Sequence, residues 1–218
     1  MGQEIKIRIE KLRELMKERG IDAYIIPSSD NHQSEYVGEY FKAREYMTGF
    51  TGSAGTAIVM MNEAGLWTDG RYFLQAENQL KDSGIDLYRI SNPGVPTTEK
   101  FIIDKMPKSG TLGFDGRLIA MKEGSNFEQK LADKNVSIKY DEDLVNLIWG
   151  DRPELSKEQV FYLEEKYSGE STTSKLKRLR EQMNNVGSNY HILTSLDDIA
   201  WLFNIRGNDV MYSPLILS

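Results

Sequence analysis

The stretch TGFTGSAGT, residues 48–56, places three glycines at three-residue spacing and has the composition of a loop that cradles phosphate. In nucleotide-binding folds such a loop follows a strand and opens a helix, so that phosphate meets the helix N-terminus. Here a helical pattern precedes Gly49, a β-rich run follows at residues 56–61, and no lysine stands in the Walker position. Because the order is reversed, the sequence predicts a tight turn with close backbone packing rather than a phosphate site.

A second candidate is the stretch WTDGRY, residues 67–72, where a predicted strand gives way to a predicted helix. On one interpretation Asp69 caps that helix and Gly70 permits the sharp turn. On the other, Arg71 and Tyr72 are binding groups, because α/β sheets present ligand-binding residues at such turns. An arginine there suits a carboxylate, from a peptide terminus or from a protein partner. The sequence leaves both interpretations open.

Three acidic residues, Asp30, Asp69 and Asp115, each end or follow a predicted strand. Converging carboxylates at strand ends would suit a divalent-metal nuclease. Asp after a strand is also ordinary turn chemistry, and a net charge of −6 would repel a nucleic-acid substrate. The nuclease is therefore the lesser alternative, and we predict no metal site in this chain.

The two histidines do not form a catalytic pair in the sequence. His32 lies in the polar turn DNHQSEY, residues 30–36, and His191 lies in a predicted strand. The sequence has no HExxH motif and no GxSxG elbow. It also has no cysteine, which excludes disulfides, thiolate ligands and Cys nucleophiles. We predict no catalytic residue in this chain.

The composition is that of an ordinary globular protein, with 39% hydrophobic and 28% charged residues over 218 positions. A net charge of −6 and a pI near 5.1 argue against a nucleic-acid partner. No apolar run approaches the roughly 20 residues that a membrane span needs, and the N-terminus has the pattern of a charged amphipathic helix rather than a signal peptide. We therefore predict no membrane partner and a cytoplasmic location.

Helical and strand patterns alternate along the chain. Apolar residues recur at helical spacing before Gly20, which stands where a helix would end, and the run AYIIP then predicts a strand. The later patterns predict strands at 56–61, 66–68, 87–90 and 111–114, and helices at 36–47, 71–80, 98–105 and 125–133. This alternation predicts an α/β fold, a sheet with helices packed on its faces.

The opening of the chain recurs 167 residues later. Residues 12–30 and 179–197 share eight identities over 19 positions, in the same order of helix, glycine, strand and turn. In the second copy, Thr172, Thr173 and Ser174 are predicted caps for a core-facing stripe formed by Leu176, Leu179, Met183 and Val186. We predict domains at 1–155 and 156–218. A strand-like run at residues 214–217 would be left as an open sheet edge, so we expect the chain to be an N-terminal piece of something longer.

Several motifs, taken in order, resemble one family. They are QSEY (33–36), TGFTGSAGT (48–56), LWTDGRYF (66–73), IW with DRP (148–153), and residues 196–207. Together they resemble aminopeptidase P, the cytosolic Xaa-Pro aminopeptidases, whose N-terminal region is related to those of creatinase and prolidase. The resemblance spans nearly the whole chain.

The resemblance implies a fold and a parent enzyme. The fold is a ribonuclease-H-like creatinase/prolidase N-terminal domain, followed by a truncated second domain of similar design. The parent would carry two metal ions, usually manganese, in a C-terminal pita-bread domain that is absent from residues 1–218. That dinuclear site would hydrolyse the bond between an N-terminal residue and a following proline. The chain alone would then be non-catalytic and without a cofactor.

The resemblance also implies partners and site residues. The N-terminal domains would restrict access to the catalytic domain of their own chain and contribute to a homodimer. One subunit would lend side chains to the substrate pocket of the other, where proline-containing peptides bind. Arg71 and Tyr72 are the best candidates for these contributed side chains, and His32 is the third candidate. The alternative is a standalone interaction module of the same fold, without a peptidase attached.

Overall fold

The computed structural model describes residues 2–217, which form two compact units. Within the described residues, the first unit comprises 2–33 and 39–153, and the second comprises 34–38 and 154–217. The chain therefore contributes to the second unit twice, which the sequence did not indicate. The assignment of residues 1–155 and 156–218 to two domains stays a prediction.

Helices and strands alternate in the first unit. The helices are α1 (Gly2–Arg19), α2 (Ala43–Thr48), α3 (Phe73–Gln79), α4 (Thr98–Lys105), α5 (Met121–Leu131) and α6 (Leu144–Ile148), with short 3₁₀ turns at Glu39–Phe41 and Ala132–Lys134. The strands are β1 (Ala23–Pro27), β2 (Thr56–Met60), β3 (Ala64–Thr68), β4 (Asp86–Arg89), β5 (Thr111–Phe114) and β6 (Ser137–Lys139).

The six strands form one mixed sheet in the order β4-β3-β2-β1-β5-β6. The pairs β1–β2 and β2–β3 are antiparallel, whereas β3–β4, β1–β5 and β5–β6 are parallel. The mixed sheet results from the connections, since β2 and β3 form a tight hairpin while helices connect the parallel strands. The predicted α/β fold, a mixed sheet flanked by helices, is confirmed.

Both faces of this sheet are buried. Strand β1 alternates, so that Tyr24 and Ile26 join the apolar core under α1, and Ala23 and Ile25 join the core under α4 and α5. The stripe of α1 packs into the first core with four side chains that are 0–4% exposed: Ile5, Ile9, Leu12 and Met16. Central strands covered on both faces fix the positions of their ends, where the candidate site lies.

The second unit contains α7 (Glu165–Ser168), α8 (Thr172–Asn185), α9 (Leu196–Phe203) and a two-stranded ladder of β7 (Phe161–Tyr162) and β8 (Ile205–Arg206). Helix α8 is capped by Ser171, one residue before the predicted caps, because its side chain accepts from the Ser174 N–H. Its predicted core stripe is incompletely buried, and Val186 is 77% exposed.

Two predicted strands of the second unit are wrong. Residues 190–194, which include His191, and residues 214–217 carry no β-ladder. A strand needs a continuous ladder to a neighbour, and the two backbone hydrogen bonds that residues 214–217 receive, from the Gly207 N–H to the Pro214 carbonyl and from the Asp209 N–H to the Leu215 carbonyl, do not extend into one. The predicted helix at 36–47 is also shorter, a 3₁₀ turn followed by α2. Among residues 2–217, none of the helices combines the length and apolarity needed to cross a membrane.

Candidate functional site at the strand ends of the first unit

The sheet topology gathers four loops at one edge. Strands β1, β3 and β5 run in the same direction, so their C-terminal ends lie at the same edge of the sheet. The loops at residues 28–33, 69–72 and 115–118 come after these three strands, and the glycine-rich loop leads into the antiparallel β2 at that edge. The edge where open α/β sheets bind ligands therefore carries most of the residues that the sequence singled out.

The glycine-rich loop is a packed turn. Gly49 ends α2 with a φ of 70°, a left-handed conformation that favours glycine. A Cβ on Gly52 would lie 2.3 Å from Cζ of Phe50, a side chain that is 0% exposed. Because side chains fill the space around this loop, it has no room to cradle a phosphate, in agreement with the predicted tight turn.

A buried arginine holds the same loop from inside. The Arg44 guanidinium donates to the carbonyl oxygens of Phe50 and Gly52, and to Oγ of Ser28 at 2.9 Å. Burial lowers the pKa of Arg44 to about 10, so the side chain stays protonated at neutral pH. No sequence signal indicated this role, because a charged residue on a short helix is usually solvent-exposed.

Two motifs that lie apart in the sequence meet at Tyr72. Its hydroxyl lies 2.7 Å from Oγ of Ser53, and its ring packs edge-on against Phe50. Gln75 and Gln79 of α3 donate to Oγ1 of Thr51, at 2.8 and 2.9 Å. The glycine-rich loop thus packs against the turn at residues 69–72 and the helix after it, and holds that turn in place.

Asp69 sets the orientation of the Arg71 side chain. The Asp69 carboxylate accepts from Arg71 Nε at 2.9 Å, from Nη2 at 2.8 Å and from the backbone N–H at 3.0 Å. This pairing lowers the pKa of Asp69. The Arg71 side chain remains 66% exposed, with Cζ 5.0 Å from the centre of the Tyr72 ring. The edge therefore presents a guanidinium in a fixed direction.

Asp69 is not a helix cap. Helix α3 begins at Phe73, and its N-cap position is Tyr72, which makes no side-chain capping bond. The carboxylate instead accepts from the backbone N–H and the guanidinium of Arg71, two residues later, and this bidentate pair occupies both of its oxygens. Of the two interpretations that the sequence left open, the capping one is wrong.

The same turn occurs a second time at this edge. Asp115, Gly116 and Arg117 follow β5 as Asp69, Gly70 and Arg71 follow β3. Asp115 accepts from the Arg117 backbone at 3.0 Å, from Nε at 2.9 Å and from Nη2 at 2.7 Å. Here the surroundings differ, because Nη2 also bonds a second acid, Asp143, at 3.0 Å. The repeated DGR tripeptide was the signal that could have found Arg117.

The three acidic residues do not converge on a metal. Asp69 and Asp115 each bind an arginine, and the buried Asp30 accepts from the His32 backbone N–H at 2.9 Å. Throughout residues 2–217 there is no cluster of three or more acidic, His or Cys side chains suited to a metal ion. The residues of this part of the chain therefore do not fit a manganese pair, and the nuclease alternative gains no support.

His32 lies at the same edge of the sheet, in a different loop from Arg71. It follows β1, whereas Arg71 and Tyr72 follow β3, and β2 runs between these strands. Strands two apart in a sheet are separated by roughly 10 Å. The edge thus carries a held pair, Arg71 with Tyr72, and an imidazole from the loop after β1. The assignment of these three as substrate contacts stays a prediction.

Comparison with known proteins assigns the chain to a family. Residues 8–145 match the family model of the Creatinase/Prolidase N-terminal domain, and residues 151–218 match a second model of the same description. The chain belongs to the creatinase/prolidase N-terminal domain family, as the resemblance indicated.

The similar proteins are Xaa-Pro aminopeptidases. The chain is 40% identical to Xaa-Pro aminopeptidase 1 of Dictyostelium discoideum, over 98% of this chain and 35% of that protein. It is 44% identical to aminopeptidase P2 of Arabidopsis thaliana, over 96% of this chain and 30% of that protein. The chain thus spans about a third of the length of these curated relatives.

A solved structure matches almost the whole chain. The X-prolyl aminopeptidase of Caenorhabditis elegans, described as a cytosolic enzyme with a di-nuclear active site, superposes with a TM-score of 0.88 at 34% identity. The match covers 97% of this chain and 36% of the worm enzyme. The residues of this chain therefore correspond to about a third of a larger enzyme.

Proposed function

We propose that this chain is the N-terminal, non-catalytic part of a dinuclear-metal Xaa-Pro aminopeptidase. The observation that carries the proposal is the match of 97% of the chain, at a TM-score of 0.88, to about a third of such an enzyme. The parent hydrolyses the bond between an N-terminal residue and a following proline, using metal ions, which we take to be manganese, held in its C-terminal catalytic domain. Because the worm enzyme is cytosolic, we place the parent in the cytoplasm.

The role of the first unit is to present Arg71 and Tyr72 to the substrate of a partner subunit in a homodimer. Arginine binds a carboxylate through directional hydrogen bonds, so Arg71 suits the C-terminal carboxylate of a short proline-containing peptide. Support comes from the fixed geometry. Asp69 orients the guanidinium, and the Ser53–Tyr72 contact anchors the turn that carries it. A preorganised charge loses less side-chain entropy when it binds.

His32 is the third proposed contact. It lies in the loop after β1, and β1 lies roughly 10 Å from β3, the strand that leads to Arg71, a spacing of about three extended residues. A peptide lying across the strand ends would meet both side chains. We therefore expect His32 to contact a different residue of the substrate from the one that Arg71 binds.

The first test concerns the chain and its parent. The 218-residue protein, supplied with manganese, should not release the first residue of an Arg-Pro-Pro peptide, whereas the protein from the extended reading frame should. Release by the short chain would overturn the proposal. A stop codon directly after Ser218 would favour the alternative, a standalone interaction module.

The second test compares the two matched turns in the full-length enzyme. Arg71→Ala should raise KM for Arg-Pro-Pro about tenfold, equivalent to about 1.4 kcal/mol, with kcat nearly unchanged. Arg117→Ala removes an arginine from the same tripeptide at the same sheet edge and should leave KM unchanged. Equal effects of the two variants would show that Arg71 acts through structure alone.

A further inference from the structure

Three turns at the strand ends of the first unit share one arrangement of hydrogen bonds. They are residues 30–33 after β1, 69–72 after β3 and 115–118 after β5. In each, the carboxylate of a leading aspartate accepts from the backbone N–H two residues later, and the N–H three residues later donates to the carbonyl of that aspartate. The residues in the third position of these turns are His32, Arg71 and Arg117.

The fourth residue of a turn joins it to a neighbouring loop. Tyr72, fourth in the turn after β3, places its hydroxyl 2.7 Å from Oγ of Ser53 in the glycine-rich loop. Gln33, fourth in the turn after β1, donates from Nε2 to the carbonyl oxygen of Leu118 at 3.1 Å. Gln33 therefore holds the turn of His32 in the way that Tyr72 holds the turn of Arg71.

Gln33 also has an unusual backbone conformation. Its φ is 58°, in the left-handed region, which is uncommon for a residue with a long side chain. The residue is exposed, so core packing does not impose this conformation. The hydrogen bonds to the carbonyls of Asp30 and Leu118 hold it instead. Strained backbone persists only where its surroundings fix it, and it is concentrated at functional sites.

The hydrogen bond from Gln33 to Leu118 connects two neighbouring parallel strands at their C-terminal ends. The chain leaves β1 toward β2 and leaves β5 toward β6, on opposite sides of this strand pair. Helix α2, which follows β1, packs into one core, and α5, which follows β5, packs into the other. Open α/β sheets bind ligands where neighbouring connections part in this way. The turn that carries His32 therefore lies at the position in the sheet where a substrate contact is expected.

We propose that Gln33 is a positioning residue for His32. Its side-chain amide holds the turn after β1 against the turn after β5, and this fixes the direction in which His32 meets a proline-containing peptide. Gln33 itself does not contact the substrate. This inference rests on the proposed function, in which His32 is one of the substrate contacts.

The variant that tests this role is Gln33→Asn. Asparagine keeps the amide and adopts the left-handed conformation readily, but it is one methylene shorter, so its Nδ2 would stop roughly 1.5 Å short of the position of Nε2. Gln33→Gly, which adopts the same backbone without strain and has no amide, is the second variant and should behave in the same way.

Asn135→Ala is the matched control. Asn135 is also left-handed, with a φ of 53°, and its side-chain amide donates to Oγ of Ser109 in another loop. It precedes β6, which is parallel to β5, so it lies at the opposite edge of the sheet from His32. The control therefore removes the same kind of interaction without touching the candidate site.

The first measurement uses the 218-residue protein. The His32 N–H donates to Oδ1 of Asp30 at 2.9 Å, so exchange of this amide with solvent, followed by NMR, reports whether the turn is held. Gln33→Asn should raise the exchange rate about tenfold, and Asn135→Ala should leave it unchanged. Urea midpoints establish that each variant is folded. An unchanged rate in Q33N would overturn the inference.

The second measurement uses the full-length enzyme and the peptide Arg-Pro-Pro. Gln33→Asn should raise KM about fivefold and His32→Ala about tenfold, with kcat nearly unchanged in both. The double variant should be no worse than His32→Ala alone, because Gln33 acts through His32. A residue that only turns the chain or stabilises the fold would add its effect to that of His32→Ala. Additive changes in KM would therefore overturn the inference.

The two measurements distinguish this inference from the proposed function. If His32→Ala leaves KM unchanged while Gln33→Asn still speeds exchange at residue 32, the substrate contact of His32 is wrong and the positioning of its turn stands. If His32→Ala raises KM while Gln33→Asn changes neither KM nor the exchange rate, the contact stands and the positioning role is wrong.

Discussion

The hydroxyl of Ser53 lies 2.7 Å from the hydroxyl of Tyr72, although 19 residues separate the two in the chain. This contact joins the glycine-rich loop to the turn that carries Arg71. The glycines therefore affect the candidate site through the position of the aromatic ring rather than by binding a ligand themselves. Substitutions in the glycine-rich loop should therefore alter the position of Arg71.

Gly52→Ala should destabilise the first unit by about 1–3 kcal/mol, because the added methyl overlaps a fully buried ring. Its Cβ would lie 2.3 Å from Phe50 and 2.8 Å from Tyr72. The free energy of unfolding in urea measures this change. Gly150→Ala is the matched control, since no atom lies within 4 Å of its added Cβ. Equal stability of the two variants would contradict the close packing around Gly52.

Arg44→Met should cost about 3 kcal/mol of stability. The substitution keeps most of the buried volume but leaves the carbonyl oxygens of Phe50 and Gly52 without their charged donor. Denaturation in urea measures the loss. Arg44→Lys should recover only part of the stability, because one ammonium lacks the planar fork that reaches both carbonyls and Ser28. Full recovery by lysine would show that charge alone is required.

The two Asp-Gly-Arg turns should differ in their effect on stability. Arg71→Ala removes a largely exposed ion pair and should change the free energy of unfolding by less than about 0.5 kcal/mol. Arg117→Ala leaves Asp115, whose side chain is 9% exposed, without its arginine partner, whereas Asp143 keeps Arg152 at 2.6 Å. It should cost about 1–2 kcal/mol, discounted because Arg117 itself is 48% exposed. Urea midpoints of both variants test the ranking, and a larger loss for Arg71→Ala would reverse it.

The second unit should weaken in acid through Glu170. Hydrogen bonds from Arg178 and then Ser174 lower the pKa of Glu170 to about 2, below its ordinary value of 4.5. A carboxyl with a depressed folded-state pKa stabilises the fold above its unfolded pKa, so this contribution is present above about pH 4.5 and is lost as the pH falls toward 2.

An NMR titration of the Glu170 carboxyl should therefore show a midpoint near pH 2. Arg178→Gln should move the midpoint up toward 4.5, and Ser174→Ala should move it less, since arginine is the larger cause. A wild-type midpoint near 4.5 would rule out the ion pair in solution.

Periodicity was sufficient to predict the fold class. The apolar stripe of α1 and the strand after Gly20 are local patterns, and α4 and β5 occur at the residues predicted for them. The predicted strand at residues 190–194 failed for a nonlocal reason, because a strand needs a neighbour that accepts its hydrogen bonds. Local pattern alone cannot state whether that neighbour is present.

The candidate site was predicted only in part. Arg71 and Tyr72 stand at a strand-to-helix turn, which their spacing indicated. The buried position of Arg44 could not be predicted, because its acceptors are carbonyl oxygens that carry no side-chain signature. The sequence also could not show whether Asp69 caps the helix or pairs with Arg71, because both interactions use the same residue types.

Helices α1 and α8 both end in a Schellman cap, with Gly20 at a φ of 64° and Gly187 at a φ of 68°. These caps have a consequence for synthesis on the ribosome. Every hydrogen bond of each cap joins residues at most five apart. Each cap can therefore form as soon as its own short segment emerges from the ribosome.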